Sequence, residues 1–387
     1  MKPSISIKSS WGSDWEYNMS RLRFPDRLSR LQAILKRKKI SALLVTHPGN
    51  RRYLSGYTPS DHNIQESSGV LLVPAKGEPY LLTDSRFFLQ AEEEAAGYRV
   101  KLYSRGLIPS LQKLLPGLDV RRLAFESHYT LHSTAGRLSA MAGKLEIELV
   151  PVTTLVEGLR VKKTEDEIEK IRASVLLNET VFQTIYATIH PGISELEIAM
   201  AIESHMRKMG AEAPSFETIV AFGTNSAKPH AVPTERRLQN GEPVLVDMGL
   251  ILDGYCSDMT RTFVVGKPDN VFIDRLRIVR KAQLEAMKVI RAGVTCREVD
   301  RAARRVIRES GYGNYFGHAL GHGVGIDVHE EPRLAFSSRK KLRSGMVVTI
   351  EPGIYLPEWG GIRLENMAVV RDDGCELLNC DETFLEL

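Results

Sequence analysis

Residues 244–262 have the sequence Val-Leu-Val-Asp-Met-Gly-Leu-Ile-Leu-Asp-Gly-Tyr-Cys-Ser-Asp-Met-Thr-Arg-Thr, and this stretch decides the fold around it. The apolar run at Val244 predicts a strand, and Asp253-Gly254 is a dipeptide typical of a tight hairpin turn. Such a hairpin brings Asp247 and Asp258 side by side on neighbouring strands. A carboxylate at the end of an apolar strand is costly unless a hydrogen bond or a cation compensates it. The pair therefore predicts a shared cation.

An internal repeat surrounds this stretch. Residues 191–198 (Pro-Gly-Ile-Ser-Glu-Leu-Glu-Ile) match residues 292–299 (Ala-Gly-Val-Thr-Cys-Arg-Glu-Val) at an offset of 101 positions. Each copy has a Gly followed by Ser/Thr-x-x-Glu, the capping box that starts a helix. Each copy also lies between two amphipathic helical patterns. We therefore predict one domain with approximate two-fold symmetry, in which each half runs from a helix pair into strands.

The repeat predicts a second acidic pair on the strands of the second half. Apolar runs around residues 347–350 and 361–364 carry Glu351 and Glu365, fourteen positions apart across a turn region. Between the two acidic pairs, residues 317–332 contain His318, His322 and His329 among glycines that allow the backbone to approach a site closely.

Histidines alone are more often structural than ligands, but these accompany four strand-borne carboxylates. A further histidine, His230, lies upstream in a loop. The spacing of His318 and His322 matches that of zinc-protease helices, yet the glutamate that should follow the first histidine is absent and the glycines disfavour a helix. We predict a metal centre built on loops and strands.

Four carboxylates and one imidazole suit two divalent ions, because four negative charges balance two such ions. Oxygen ligands favour manganese, iron(II) or cobalt over a thiolate-type zinc site. We expect two divalent ions, manganese first, with cobalt, iron or zinc as alternatives. A pair of such ions activates water and polarises a carbonyl, so the predicted reaction class is metal-assisted hydrolysis.

The first part of the chain alternates strands and helices and predicts an α/β domain. We expect helices at 26–38, 86–96 and 129–142, and strands at 42–45, 69–73, 80–82, 98–103, 122–125 and 146–151. Residues 1–20 are expected to form an extended arm, and Arg52, Tyr53 and Asp61 to lie in a polar surface loop. The predicted domains are 1–157, an α/β domain, and 158–387, an α+β domain with the internal repeat.

Composition excludes several classes of protein. The chain has 387 residues, 43% of them hydrophobic, and a net charge of +4 without a dense Lys/Arg block, so we expect no nucleic-acid partner. It has four cysteines without CxxC spacing, no signal-peptide pattern at its start and no run of 18 apolar residues. We expect a cytoplasmic protein with no membrane partner.

The motifs resemble those of the pita-bread metallopeptidases: methionyl aminopeptidase, aminopeptidase P and prolidase. The resemblance covers about residues 160–375 and is carried by Asp-x-Gly…Gly-Tyr-x-Ser-Asp-Met-Thr-Arg-Thr, Gly-His-Gly-Val-Gly…His-Glu-x-Pro, Ile-Glu-Pro-Gly-Ile-Tyr and Gly-Ile-Arg-Leu-Glu. It implies that Asp247 holds one metal, that His322 and Glu351 hold the other, and that Asp258 and Glu365 bridge them.

The same resemblance implies roles for residues around the metals. His230 and His329 would contact the scissile peptide and its tetrahedral intermediate, and His318 the proline side. Glu351 would also move a proton, and Arg363 would orient the carboxylates. One departure is Asn366, where many members of the family carry Asp.

The N-terminal motif selects a branch of the family. Residues 43–57, Leu-Leu-Val-Thr-x-Pro-x-Asn-x-x-Tyr-Leu-Ser-Gly-Tyr, resemble the creatinase/prolidase N-terminal domain, which methionyl aminopeptidases lack. The implied activity is that of an Xaa-Pro peptidase acting on proline-containing peptides, and we also expect a homodimer. The sequence favours an aminopeptidase P over a prolidase, because no cation for a dipeptide carboxylate can be placed in the loop after Tyr53.

Two other classes of protein share this fold. A creatinase-like amidinohydrolase works without metal and lacks the ligands, and a non-catalytic peptide-binding relative typically loses them. All five ligand positions are present here. The site, rather than the fold, therefore favours the metallopeptidase.

Overall fold

A computed structural model of the protein describes residues 23–382. The extended arm expected at residues 1–20 lies outside the described residues. The chain divides into two compact units, the first ending at Leu159 and the second beginning at Arg160. The domain boundary proposed from sequence, after residue 157, stays a prediction. No helix among residues 23–382 is long and apolar enough to cross a membrane.

A six-stranded sheet with the order β4-β3-β2-β1-β5-β6 forms the centre of the first unit. Its central strand β1 pairs in parallel with β5 and antiparallel with β2, so the sheet is mixed. The strands are β1 (Ala42–Val45), β2 (Val70–Pro74), β3 (Tyr80–Thr83), β4 (Arg99–Leu102), β5 (Arg122–Glu126) and β6 (Glu148–Val152). This arrangement confirms the predicted α/β class.

Two helices of the first unit were not predicted from the sequence. The helices of this unit are α1 (Arg23–Arg37), α2 (Pro48–Ser55), α3 (Phe88–Glu94), α4 (Leu107–Leu114) and α5 (His132–Lys144). A short helix, α6 (Glu157–Arg160), follows them. The helix α2 occupies part of the predicted surface loop, because Pro48 is tolerated in a first turn and Gly56 ends the helix at φ 78°.

The prediction of a polar surface loop at Arg52, Tyr53 and Asp61 is therefore wrong for the first two residues. Arg52 and Tyr53 lie in α2, and Tyr53 is buried. The side chain of Asp61 is only 3% exposed, and its carboxylate accepts a hydrogen bond of 2.8 Å from the buried guanidinium of Arg51. A buried carboxylate needs such a partner.

The second unit begins with a pair of helices and repeats that pair after its first set of strands. The helices are α7 (Glu165–Tyr186), α8 (Glu195–Lys208), α9 (Asn270–Val289) and α10 (Cys296–Glu309). Capping boxes start α7 at Thr164, α8 at Ser194 and α10 at Thr295.

The internal repeat is visible in matching backbone hydrogen bonds. In the first half, the amide of Gly192 donates to the carbonyl of Leu238 at 2.8 Å; in the second, the amide of Gly293 donates to that of Leu342 at 2.9 Å. Both glycines have positive φ, 93° and 90°, which a residue with a Cβ rarely adopts. The predicted pseudo-two-fold fold of this unit is confirmed.

The strands of the second unit form separate sheets in the two halves. The first half has β12-β9-β8 and β11-β10-β7, and the second has β14-β13-β15-β18-β19 with the hairpin β16-β17. Their bounds are β7 (Ala213–Pro214), β8 (Ile219–Phe222), β9 (Pro243–Met248), β10 (Leu250–Leu252), β11 (Tyr255–Cys256), β12 (Met259–Val264), β13 (Gly321–Gly323), β14 (Glu330–Leu334), β15 (Val347–Ile350), β16 (Gly353–Leu356), β17 (Gly360–Arg363), β18 (Asn366–Val370) and β19 (Cys375–Leu377).

Strand alternation separates an apolar core from a polar face in each half. On β9, Val244, Val246 and Met248 pack into the core with the helices, whereas Asp247 lies on the opposite face. On β15, Val348 and Ile350 face the core of the second half, so Thr349 lies on the opposite face. The candidate site is built on these polar faces.

Candidate active site

The register of β9 and β12 positions the first acidic pair. Asp247 lies opposite Thr260, and Met248 lies opposite Met259, so Asp258, directly before β12, is a diagonal neighbour of Asp247 on one face. The tight turn predicted at Asp253-Gly254 is present between β10 and β11, with φ values of 48° and 78°.

The second half positions its acidic pair in the equivalent way. Ile350 of β15 pairs with Asn366 of β18, which places Glu351 and Glu365, the next residues outward, opposite each other. The amide of Glu365 donates to the carbonyl of Thr260 at 3.1 Å, and this hydrogen bond joins the two halves beside the site.

His322 approaches both acidic pairs from β13. Its Nε2 lies 3.6 Å from Oδ2 of Asp258 and 3.5 Å from Oε1 of Glu351. Ligand atoms of Asp258, His322 and Glu365 all lie within 4.8 Å of one another. Nδ1 of His322 is 3.1 Å from the carbonyl of Gly323, so it carries the proton and leaves Nε2 as the electron-pair donor. Burial, followed by the charge of His329, lowers the pKa of His322 to about 4.

The glycines beside His322 are required by close backbone contacts. A Cβ on Gly321 would collide with the backbone oxygen of Thr349, and one on Gly323 would collide with that of Glu331. Because these contacts involve backbone atoms, no side-chain rotation relieves them. The glycine-rich stretch therefore serves the close packing of β13 between β14 and β15.

The carboxylates are crowded enough to hold protons without a cation. Burial, then the charge of Glu365, raises the pKa values of Asp258 and Glu351 well above the usual range. Burial, then Asp247, raises the pKa of Glu365 to about 8. Oδ1 of Asp247 is buried and accepts no hydrogen bond within the described part of the chain. Divalent cations would relieve both the repulsion and this unsatisfied oxygen, so the residues fit a metal centre.

Arg363 connects the carboxylates to a histidine and a tyrosine. It donates to Oδ2 of Asp247 at 2.6 Å and to the hydroxyl of Tyr355 at 2.8 Å. That hydroxyl is 2.9 Å from Nε2 of His318, whose Nδ1 is 2.7 Å from the carbonyl of Ala319. Both ring nitrogens of His318 are thus occupied. Burial, then Arg363, lowers the pKa of His318 to about 4, so the ring is neutral.

The remaining predicted histidines lie at the exposed side of the cluster. The ring of His329 is 4.4 Å from that of His322, edge to face. Burial, then the charge of His230, lowers the pKa of His329, with Asp247 acting in the opposite direction. His230 lies in the exposed loop that follows a short 3₁₀ helix, Gly223–Ala227. The structure therefore brings all the predicted site residues into one neighbourhood.

Three further residues contact the site and were not predicted. The hydroxyl of Thr260 donates to Oε2 of Glu365 at 2.7 Å and accepts from Nε of Arg363 at 3.0 Å. Thr349 lies 3.3 Å from Oε1 of Glu351, and Tyr355 bridges His318 and Arg363 as described. The period-2 alternation from Asp258 marks Thr260 as lying on the same face, so that signal was available in the sequence.

Comparisons with known proteins identify the fold and the family. The model of metallopeptidase family M24 matches residues 169–372, and that of the creatinase/prolidase N-terminal domain matches residues 27–162. The Xaa-Pro dipeptidase of Pyrococcus horikoshii is 32% identical over 358 residues, which cover 92% of this chain and 97% of that protein.

Solved structures of Xaa-Pro peptidases also superimpose on this chain over most of its length. The Xaa-Pro dipeptidase from Bacillus anthracis superimposes with a TM-score of 0.85 at 37% identity, covering 92% of this chain and 98% of that one. The X-Pro aminopeptidase from Thermotoga maritima superimposes with a TM-score of 0.81 at 35% identity, covering 89% and 96%.

Proposed function

This chain belongs to metallopeptidase family M24 and carries its creatinase/prolidase-type N-terminal domain, and from that premise we propose that it is an Xaa-Pro dipeptidase. The observation that carries the proposal is the crowded carboxylate cluster in a chain similar over nearly its full length to Xaa-Pro dipeptidases. We propose the same substrate class, dipeptides with proline in the second position, for this chain.

We assign the metal ligands as Asp247, Asp258, His322, Glu351 and Glu365. The four carboxylates balance two divalent ions in charge, and manganese is our first choice because four of the five side chains offer oxygen. When bound, divalent ions supply Lewis acidity toward water and the peptide carbonyl.

The chain's own residues bind the peptide and handle the proton. His230 and His329, at the exposed side of the cluster, donate hydrogen bonds to the peptide carbonyl and to the negative charge that develops on its oxygen. The carboxyl group of Glu351 takes a proton from the attacking water and delivers it to the proline nitrogen, which leaves as a secondary amine.

His318 and Arg363 hold the substrate end of the site in shape. Because both nitrogens of His318 are occupied, the ring presents its carbon edge to the substrate, which suits the apolar ring of proline. Arg363 keeps Asp247 oriented through the 2.6 Å hydrogen bond. Proline has no N–H in its peptide bond, so this site must recognise the ring by shape.

The relatives favour a dipeptidase over the aminopeptidase preferred from sequence. A dipeptidase needs a cation for the carboxylate of its C-terminal proline. Arg333, exposed on β14, is among the charges that lower the pKa of His322, and we assign it this role. The aminopeptidase is the second candidate, since the Thermotoga maritima relative carries that name. The homodimer and the cytoplasmic location stay predictions from sequence.

The test compares four substrates with manganese-loaded protein: Ala-Pro, Ala-Pro amide, Ala-Pro-Ala-Ala and Ala-Ala-Ala. We expect Ala-Pro to be cleaved fastest, and the amide to have a higher KM because it lacks the carboxylate. Arg333→Gln should remove most of the difference between Ala-Pro and its amide. Cleavage of Ala-Pro-Ala-Ala at the rate of Ala-Pro would favour the aminopeptidase, and equal cleavage of Ala-Ala-Ala would overturn the Xaa-Pro assignment.

A further inference from the structure

The loop 324–329 connects two histidines of the site. It follows β13, which carries His322, and its last residue is His329, directly before β14. Gly323 pairs with Glu330 across the neck of this loop. No hydrogen bond to the ring of His329 occurs within residues 23–382, so the backbone that carries His329 sets the position of its ring.

A cluster of four charges, three of them buried, holds this loop. Nη2 of Arg160 lies 2.5 Å from Oδ2 of Asp327 and 2.5 Å from Oε1 of Glu330. Nζ of Lys163 lies 3.0 Å from the other oxygen of Glu330. The side chains of Arg160, Lys163 and Glu330 are only 3%, 2% and 7% exposed, so solvent screens these pairs little. Two cations balance two carboxylates.

The carboxylate of Glu330 fills the inside of the loop. The amide of Asp327 donates to its Oε1 at 3.1 Å, and a Cβ on Gly325 would lie 2.6 Å from the same atom. The opposite side of the loop is fixed by Cys256, whose amide donates to the carbonyl of Gly325 at 2.8 Å. Arg160 and Lys163 therefore hold the side chain around which the loop is folded.

We propose that Arg160 and Lys163 are positioning residues for His329, acting through Glu330 and Asp327. The inference rests on the proposed function, in which His329 contacts the substrate. The amide of Asp327 donates to the carboxylate of Glu330, so a shift of that carboxylate changes the loop backbone that leads to His329. The metal ligand His322 lies on β13, which also pairs with β15, so we expect the metal and that pairing to hold it.

The experiment is a double-mutant cycle between Arg160→Met and His329→Ala in the metal-loaded enzyme. A misplacement of about 1 Å costs on the order of 10²-fold in rate, so we expect Arg160→Met to lower kcat on that order at unchanged metal content. In the His329→Ala background the same substitution should lower kcat no further. Arg160→Lys should stay within a few-fold of wild type, because one ammonium group can donate to both carboxylates.

The matched control is Arg371→Gln, which breaks ion pairs with Glu165 and Glu376, neither of them in the loop. It should leave kcat unchanged. If Arg160→Met does not fold, Asp327→Asn serves in its place, because the side chain of Asp327 is 36% exposed and tolerates the loss of charge.

A second measurement separates this inference from the proposed function. The NMR signals of the His329 ring, identified by their loss in His329→Ala, should shift or broaden in zinc-loaded Arg160→Met while the zinc content stays unchanged. Such a shift together with full activity of His329→Ala would support the positioning and refute the substrate role. Unmoved His329 signals, or an equal fall of kcat in both backgrounds, would overturn the inference.

Discussion

Metal binding should displace protons from the carboxylate cluster, because burial and mutual repulsion keep part of it protonated in the metal-free protein. Glu365 has a pKa of about 8, so at pH 7 it is roughly 90% protonated and releases about 0.9 proton when a metal binds. The apparent metal affinity should therefore fall about tenfold for each pH unit below 8, or about 1.4 kcal/mol per unit. Asp258 and Glu351, whose pKa values are also raised, make the dependence steeper.

The assay is calorimetric titration of metal-free protein with Mn²⁺ at pH 7 in two buffers of different ionisation enthalpy. The difference between the two observed enthalpies gives the number of protons released, which we expect to exceed one. The control is the same titration at pH 8.5, above the pKa of Glu365, where that carboxyl holds less of its proton and the count of released protons should fall. Equal enthalpies in the two buffers would show that the cluster is already ionised, and the reasoning from burial and repulsion would fail.

Further predictions concern stability, single residues and packing. The metal-free protein should lose thermal stability as pH rises from 5 to 8, because the folded state, with Glu365 at a pKa of about 8, binds more protons than the unfolded state in that window; a melting temperature that rises instead contradicts this. Asp258→Asn should lower the metal content and reduce activity by orders of magnitude, and full metal occupancy by elemental analysis would refute its role as a ligand. His329→Ala should keep its metal and lose on the order of 10²-fold in kcat; loss of metal would assign it a different role. Gly321→Ala should displace β13 from Thr349 and reduce metal content, whereas an unchanged enzyme would show that the strand can move.

The positions of the four carboxylates could be predicted because strand alternation and the internal repeat are both visible in short stretches of sequence. Asp247 follows an apolar run, and Asp253-Gly254 fixes the turn that returns the chain to Asp258. The offset of 101 positions then points to a second pair, which the structure places at the equivalent strand ends.

Other features of the structure have no comparable signal in the sequence. The helix α2 is short, and its capping residue His47 is not among the common N-caps, so the pattern resembles a loop. The partners of Glu330 lie 167 and 170 positions away in the chain, at Lys163 and Arg160. No periodicity connects residues at such separation, and only the packed fold shows that they meet.

The hydrogen bond from the amide of Glu365 to the carbonyl of Thr260 joins the two halves of the second unit, and both halves contribute residues to the site. Each half contributes one pair of acids, so neither half alone can neutralise two divalent ions. Metal ions bound by residues of both halves therefore stabilise the docking of the halves. The size of this stabilisation depends on the free metal concentration. At a free metal concentration a hundredfold above Kd, the gain is about 2.7 kcal/mol for each site. When the free metal concentration falls well below Kd, this contribution to the docking of the halves is lost.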